Sequence, residues 1–255
     1  VLDASHYAPP GHMPLVLNTP FTVMTSIGKP VIVPRTFMPQ EEADRLWPVT
    51  HRFGDHKLIS GTPNIAIIVL ESFSGTYSAL LNGGRAGYMP FLDSLMANGL
   101  YCTQAFANGR RSIDGLPAIV AGMPKMMEEA FITSPYADAP FTALPNVLAR
   151  KGYGTSFYHG GHNGTMGFDA FARSAGYQRY SGRNEYPEPA DDDGVWGIRD
   201  EPYLRFWANE LNRERQPFFS TVFTLSSHHP YKLPPEDAER FKAGTLTIHP
   251  TLLYA

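Results

Sequence analysis

The stretch "PNIAIIVLES" (Pro63 to Ser72) constrains the fold of this chain more than any other. Ile65 to Leu70 is an unbroken apolar run, rich in β-branched residues, directly after a proline. A membrane span takes ~20 apolar residues, so the run is too short to cross a bilayer. It reads as a strand of a parallel sheet, buried on both faces. It ends in Glu71, a carboxylate that is costly to desolvate unless something positive meets it. A divalent metal would meet it, because hard cations choose oxygen ligands. On spacing alone, a carboxylate facing solvent at a strand end is an equal alternative.

Beyond this strand the chain alternates. "PFLDSLMANG" (Pro90 to Gly99) has helical spacing, with Pro to start and Gly to stop. "YCTQAFA" reads as a short strand or extended piece. "SIDGLPAIVAG" (Ser112 to Gly122) reads as a helix with a Ser cap, despite Gly115 and Pro117 inside it. Helices are expected over Thr142 to Gly152, over "GFDAFARSAGY" and over Asp200 to Glu214. Strands are expected over Tyr153 to Gly160 and from Gln216, the latter running into a polar loop that ends at Tyr231. Strands alternating with helices predict an α/β domain, a mainly parallel sheet with helices on both faces. This regular unit covers residues 62–255. Residues 1–61, broken by prolines from Pro9 to Pro39, read as an extended arm or linker with one short helix between Gln40 and Val49.

Parallel sheets place their sites beyond the carboxyl ends of the strands. Three strands here end in reactive residues: Glu71-Ser72, then His159-Gly160-Gly161-His162, then Ser226-Ser227-His228-His229. The four histidines are candidates for substrate binding or proton transfer, although a lone histidine is more often structural. Ser112 follows Arg110 and Arg111 at a helix start, where free N–H groups and the dipole favour anions. From local sequence it reads first as an N-cap and second as a nucleophile for a phosphoryl group, with the arginines holding charge. The run Asp191-Asp192-Asp193 reads as a solvated turn, lacking the spacing of a calcium loop.

Composition narrows the classes. With 255 residues, 43% of them apolar, the chain is long enough for a substantial core. A net charge of −3 without a basic cluster excludes a nucleic-acid surface. Cys102 is alone, so no internal disulfide forms. No signal peptide or membrane span is legible, and Val1 in place of Met implies a piece of something longer. Glu71 to Gly75 has neither dinucleotide nor P-loop spacing, which sets aside a nucleotide binder.

Seven blocks in order, "PNIAIIVLESFSG", "MPFLDSLMANG", "NGRRSIDGLPAIVAG", "LPNVLARKGYGTSFYHGG", "FARSAGYQRY", "WGIRDEPYL" and "PFFSTVFTLSSHHPY", resemble the lipoteichoic acid synthase-like (phosphoglycerol transferase) branch of the sulfatase and alkaline phosphatase superfamily. The resemblance spans roughly residues 62–255. It implies an alkaline-phosphatase-like fold, with Glu71 a ligand of a catalytic divalent metal, manganese first and magnesium or zinc as alternatives. Ser112 matches the nucleophile, which also ligates the metal, and His228 matches the histidine that contacts the substrate head group. Arg111 and His159 are expected beside the substrate. The reaction implied is transfer from, or hydrolysis of, a phospholipid-derived phosphate ester at the outer face of a membrane. Anchoring would come from N-terminal helices that are not among these residues.

Three departures from the family pattern bear on that expectation. The Asp-His pair that completes the family's metal site is not met before Ala255. The Trp and Arg of phosphoglycerol synthases correspond here to Met166 and Phe168, which puts a phosphoglycerol substrate in question. After Ser112 the Pro and Arg of formylglycine sulfatases are lacking. A sulfuric ester hydrolase with an unmodified serine, and an inactive binding or signalling ectodomain of the same fold, are the competing readings.

Overall fold

In the computed structural model, residues 61–255 are described continuously, together with residues 35–51 and a few single positions before residue 61. Most of the expected arm therefore lies outside the described residues. Within it the anticipated helix forms as α1 (Gln40–Leu46), and none of its residues is buried.

The sheet has four parallel strands, β1 (Ile65–Val69), β2 (Gly154–His159), β3 (Arg179–Ser181) and β4 (Phe218–Phe223), in the order β1-β4-β2-β3. The helices that follow are α2 (Pro90–Ala97), α3 (Ser112–Ala121), α4 (Leu144–Ala149), α5 (Phe168–Ala175), α6 (Asp200–Leu211), α7 (Pro235–Arg240) and α8 (His249–Tyr254). Side chains alternate across the strands, and the two faces bury different sets. Phe157 and Phe219 face Leu116, Val120, Phe171 and Ala172 of α3 and α5. Tyr158 and Val222 face Ile198, Tyr203 and Trp207, the last two on α6. Helices thus cover both faces, as the alternation predicts.

The sheet interior also holds polar side chains, each with a partner. Ser156 bonds Ser220 at 2.9 Å, and the Trp207 indole N–H donates to Ser220 at 2.8 Å. Tyr177 Oη pairs with Thr221 Oγ1 at 2.6 Å. A buried hydroxyl without such a partner would cost about 1–3 kcal/mol.

Two expectations are corrected. β1 is an edge strand, and only one of its faces is covered: Ile65, Ile67 and Val69 pack on the core while Ile68 stays 52% exposed. The α6 layer packs over β2 and β4 and leaves the second face of β1 uncovered. An apolar run reports composition, not which neighbours arrive. Tyr101 to Ala107 forms no strand; it runs as an exposed loop. β3 lies just beyond the expected helical segment that ends at Tyr177, in three residues for which no strand is expected from the sequence. α3 does continue through Pro117, because Leu116, Pro117 and Val120 are all fully buried and their packing outweighs the lost N–H bond.

Candidate active site

Register alone assembles the site. Val69 pairs with Phe223, and Phe223 pairs with His159, so the carboxyl ends of β1, β4 and β2 finish in one row. The chain leaves that row as Glu71-Ser72, as Thr224 to His228, and as Gly160-Gly161. Helix α3 enters from the core side with Ser112 as its first residue. Glu71, Ser112, His159 and His228 all line one small cavity, about 30 Å³ in volume, beyond the carboxyl edge. That is room for one or two water-sized groups.

Glu71 is half-buried. Its backbone N–H donates to Thr224 Oγ1 at 2.9 Å, and its Oε1 accepts from Ser72 Oγ at 3.0 Å. Among the described residues no other hydrogen bond engages the carboxylate, which leaves lone pairs for a ligand. The N-cap of α3 is Arg111, not Ser112, and its side chain does not cap the helix. Among the described residues no hydrogen bond engages the Ser112 hydroxyl, so it is not spent on holding the helix. It sits where unpaired helix N–H groups and the macrodipole draw negative charge.

Arg111 is placed differently from the expectation. Its Nε and Nη2 donate to the two oxygens of Asp114 at 3.0 and 3.1 Å, and Nη2 also reaches the Glu128 carbonyl at 3.4 Å. Burial would raise the Asp114 carboxyl, but the bonds from Arg111 and Lys125 hold it below its usual range. The guanidinium fork therefore fixes the start of α3 and does not line the cavity. Arg110 instead faces a wider neighbouring groove, together with Arg85 and Lys125.

His159 lines the cavity as a fully buried ring. It stacks on Phe223 with centroids 4.7 Å apart and meets the edge of Phe168 at 5.1 Å. Its Nδ1 lies 3.0 Å from the Phe223 carbonyl, which only accepts, so Nδ1 carries the proton. Burial pushes its pKa down to about 4, and the ring is neutral at pH 7. A neutral ring offers no positive charge to a phosphate. His228 is half-buried, and its Nδ1 lies 2.9 Å from the His229 carbonyl. By the same reasoning its Nε2 is left to meet a ligand. His162 and His229 are exposed and are not among the cavity walls.

Two residues escaped the sequence reading. Asp200, the first residue of α6, is buried; its carboxylate accepts from the N–H groups of Leu225 and Ser226 at 2.8 and 2.9 Å. Its own N–H donates to Ser226 Oγ at 2.9 Å. Burial, partly offset by these bonds, pushes its pKa up to about 6. Asp200 ties the segment before α6 to the loop that carries His228. The sequence signal is an acidic residue at a helix start, which normally means a solvated one. Trp196 also lines the cavity, 4.0 Å from the His228 ring by centroids, with its Nε1–H on the His229 carbonyl at 2.7 Å. The Asp run forms a turn, but not the solvated one expected: all three residues are half-buried, Asp191 accepts from Tyr186, Asp192 pairs with Arg183, and Asp193 Oδ1 accepts from the N–H groups of Val195, Trp196 and Gly197.

Backbone strain marks the same place. The non-glycine residues with left-handed φ are Ser72 (62°), Met166 (50°) and Tyr231 (60°) among the described residues. Ser72 follows Glu71, Met166 lines the cavity, and Tyr231 closes the His228 loop. Each such conformation costs about 1–3 kcal/mol and persists where surroundings over-determine it.

Comparison with known proteins identifies the family and the fold. The sulfatase family model matches residues 63–250. Lipoteichoic acid synthase 1 of Bacillus subtilis is 29% identical over 192 residues, covering 71% of this chain and 29% of the relative. An alkaline phosphatase superfamily protein from Vibrio parahaemolyticus superposes with a TM-score of 0.68 at 29% identity, over 76% of this chain and 47% of that one. The lipoteichoic acid synthase LtaP from Listeria monocytogenes has the same fold, with a TM-score of 0.64 at 19% identity, over 76% and 49% of the two chains. The chain spans less than a third of the length of the curated relatives it matches.

Proposed function

The chain belongs to the sulfatase family, in its lipoteichoic acid synthase-like branch, and from that premise we propose that it carries part of a transferase of phosphate esters with Ser112 as nucleophile. The observation that carries this reading is the meeting of Glu71 and an unengaged Ser112 hydroxyl in one cavity, at the start of the ten-residue helix α3. Ser112 Oγ attacks phosphorus, a serine phosphodiester forms, and the displaced alcohol leaves with the proton. An acceptor hydroxyl then attacks the same phosphorus and restores Ser112. Helix N–H groups face the charge that grows on the non-bridging oxygens. His228 Nε2 meets the substrate, while neutral His159 holds Phe223 and the β4 end in place.

Glu71 and Ser112 are oxygen donors on one cavity and suit a hard cation, but among the described residues no group of three or more His, Cys, Asp or Glu side chains is arranged around one. These two residues fit as part of a site. When bound there, manganese, or magnesium or zinc in its place, supplies charge neutralisation and an easier deprotonation of the serine hydroxyl. Among the described residues no helix is long and apolar enough to cross a membrane. We place the domain at the outer face of a membrane, with a phospholipid as donor, by likeness to the synthases alone.

The test is intact-mass spectrometry of the protein incubated with manganese and phosphatidylglycerol, beside Ser112→Ala. A mass increase on wild type that is absent from the variant establishes the nucleophile and names the transferred group. Turnover of aryl phosphate or aryl sulfate without that adduct would keep the serine chemistry and change the substrate. Absence of both adduct and turnover would leave a binding domain.

A further inference from the structure

Ile32 differs from the part of the arm described around it. Ile27 and Phe37, the nearest described apolar residues on either side, are 75% and 84% exposed, whereas Ile32 is 42% exposed. Its backbone N–H donates to Tyr136 Oη at 3.2 Å, 104 positions further along the chain. Ile32 lines a groove that shares no residue with the Ser112 cavity. The walls are apolar, with Met123, Met126, Met127, Phe131 and Phe141 beside Tyr136. Asp114 and Pro117 of α3 complete it. With Ile32 in place, about 260 Å³ of the groove stays open. The aromatic wall is firmly mounted. Phe141 meets the edge of Phe131 at 5.4 Å and stacks on the core residue Phe171 at 5.9 Å. The Tyr136 N–H donates to Ser134 Oγ at 3.1 Å, and its carbonyl accepts from the Ala139 N–H at 2.9 Å.

We propose that this groove is the seat of the chain's own arm, residues 30–34, and that docking there braces helix α3 at Asp114 and Pro117. In sequence Ile32 is the centre of Pro30-Val31-Ile32-Val33-Pro34, with Lys29 before it and Arg35 after it. Proline-bounded apolar segments are the kind that aromatic-lined grooves receive, because they lose little conformational freedom on docking. The bond to Tyr136 holds the main chain, and the Ile32 side chain supplies the apolar anchor. Methionine side chains adapt their shape to branched partners such as valine and isoleucine. Charge agrees as well. Glu129 lines the groove and is opposite in sign to Lys29 and Arg35, while Lys125 in the same wall is already bonded to Asp114. Asp114 also holds Arg111, the N-cap of α3, so a brace on Asp114 acts on the turn that presents Ser112. Its value for catalysis rests on the reading of Ser112 as nucleophile; the docking itself does not.

The probe is hydrogen peroxide, which converts an accessible methionine to its sulfoxide. Met123 and Met127 are half-buried, and their oxidation in the whole chain is followed by peptide mass spectrometry. Hydrogen exchange of residues 115–120 of α3 is measured on the same samples. Ile32→Asp puts a charge against the apolar walls and is expected to speed oxidation of both methionines about 3-fold or more. Exchange in α3 is expected to rise about 2-fold or more with it. Ile32→Val keeps the anchor apolar and is expected to behave as wild type. Phe37→Asp places the same charge on an exposed arm residue and is expected to change neither readout. Met89, buried elsewhere in the domain, is expected to stay slow in every variant, which separates release of the arm from unfolding. Unchanged oxidation in Ile32→Asp, an equal effect of Phe37→Asp, an equal rise at Met89, or faster oxidation with no change in α3 would overturn the proposal. Protection that falls on dilution would overturn it too, by seating a second copy's arm in the groove. Failure of the serine chemistry is read separately, by the mass adduct, and moves none of these measurements.

Discussion

The two flanks of the cavity are built in contrasting ways. On the side of β2, β4 and α6 the contributors are mostly buried: His159, Phe223, Asp200 and the stretch of residues 225–227 that leads to His228 sit behind two covered sheet faces. On the side of residues 72–111, α2 buries none of its residues, and Phe91, Leu100 and Phe106 are largely exposed. The first flank can hold atoms in place by packing. The second holds Glu71 only through Thr224 and Ser72. The difference shows that one site can draw precision from a single side, with the other side supplying chemistry on a softer frame.

The contrast can be broken by mutation. Phe157→Ala removes a fully buried ring between the sheet and α3–α5, and is expected to cost about 3–5 kcal/mol in urea unfolding. Asp200→Ala leaves two buried N–H groups unbonded, for about 2–4 kcal/mol, and should also loosen the His228 loop in hydrogen exchange. A loss below about 1 kcal/mol would mean that water replaces the carboxylate and that the flank is less dry than described. pH tests the same flank. The His159 pKa is lowered on folding, so its contribution is complete above about 6.5 and is lost as pH falls through about 4. Relative to His159→Gln, wild type should lose on the order of 2–3 kcal/mol across that interval. Asp200 runs the opposite way, since its raised pKa favours the folded state at low pH and loses that benefit as pH rises through about 6. The comparison is therefore best made in both the Asp200 and the Asp200→Asn background. On the exposed flank Phe91→Ala should stay within about 0.5 kcal/mol of wild type. A cost above about 1.5 kcal/mol there would show that α2 is covered in solution and would erase the contrast.

Much of the buried flank was legible in sequence, because strands and helices write their periods into apolar residues. β2, β4, α3 and α6 fall within the expected spans. The positions of Glu71, Ser112 and His228 followed from strand ends and from the resemblance, and the structure brings all three to one cavity. What the sequence hid was partnership. Asp200 looks like any acidic residue in a first helical turn; only the loop returning over it makes it a buried anchor. Arg111 looks like a phosphate ligand until Asp114, one helical turn on, takes its fork. The exposure of Ile68 depends on which element packs beside β1, and nothing in a strand's own residues records that.

The left-handed residues around the cavity have a consequence for how this domain can be altered. Ser72, Met166 and Tyr231 each occupy a backbone shape that glycine adopts freely. Replacing Ser72 by glycine should relieve that strain, offset by the greater freedom glycine gains when unfolded, for a net gain of up to about 1 kcal/mol. Met166 offers similar headroom, but its side chain would vanish from the lining of the cavity. An engineer raising thermostability by ordinary selection would be drawn to these positions first, and would be reshaping the surroundings of the cavity with each gain.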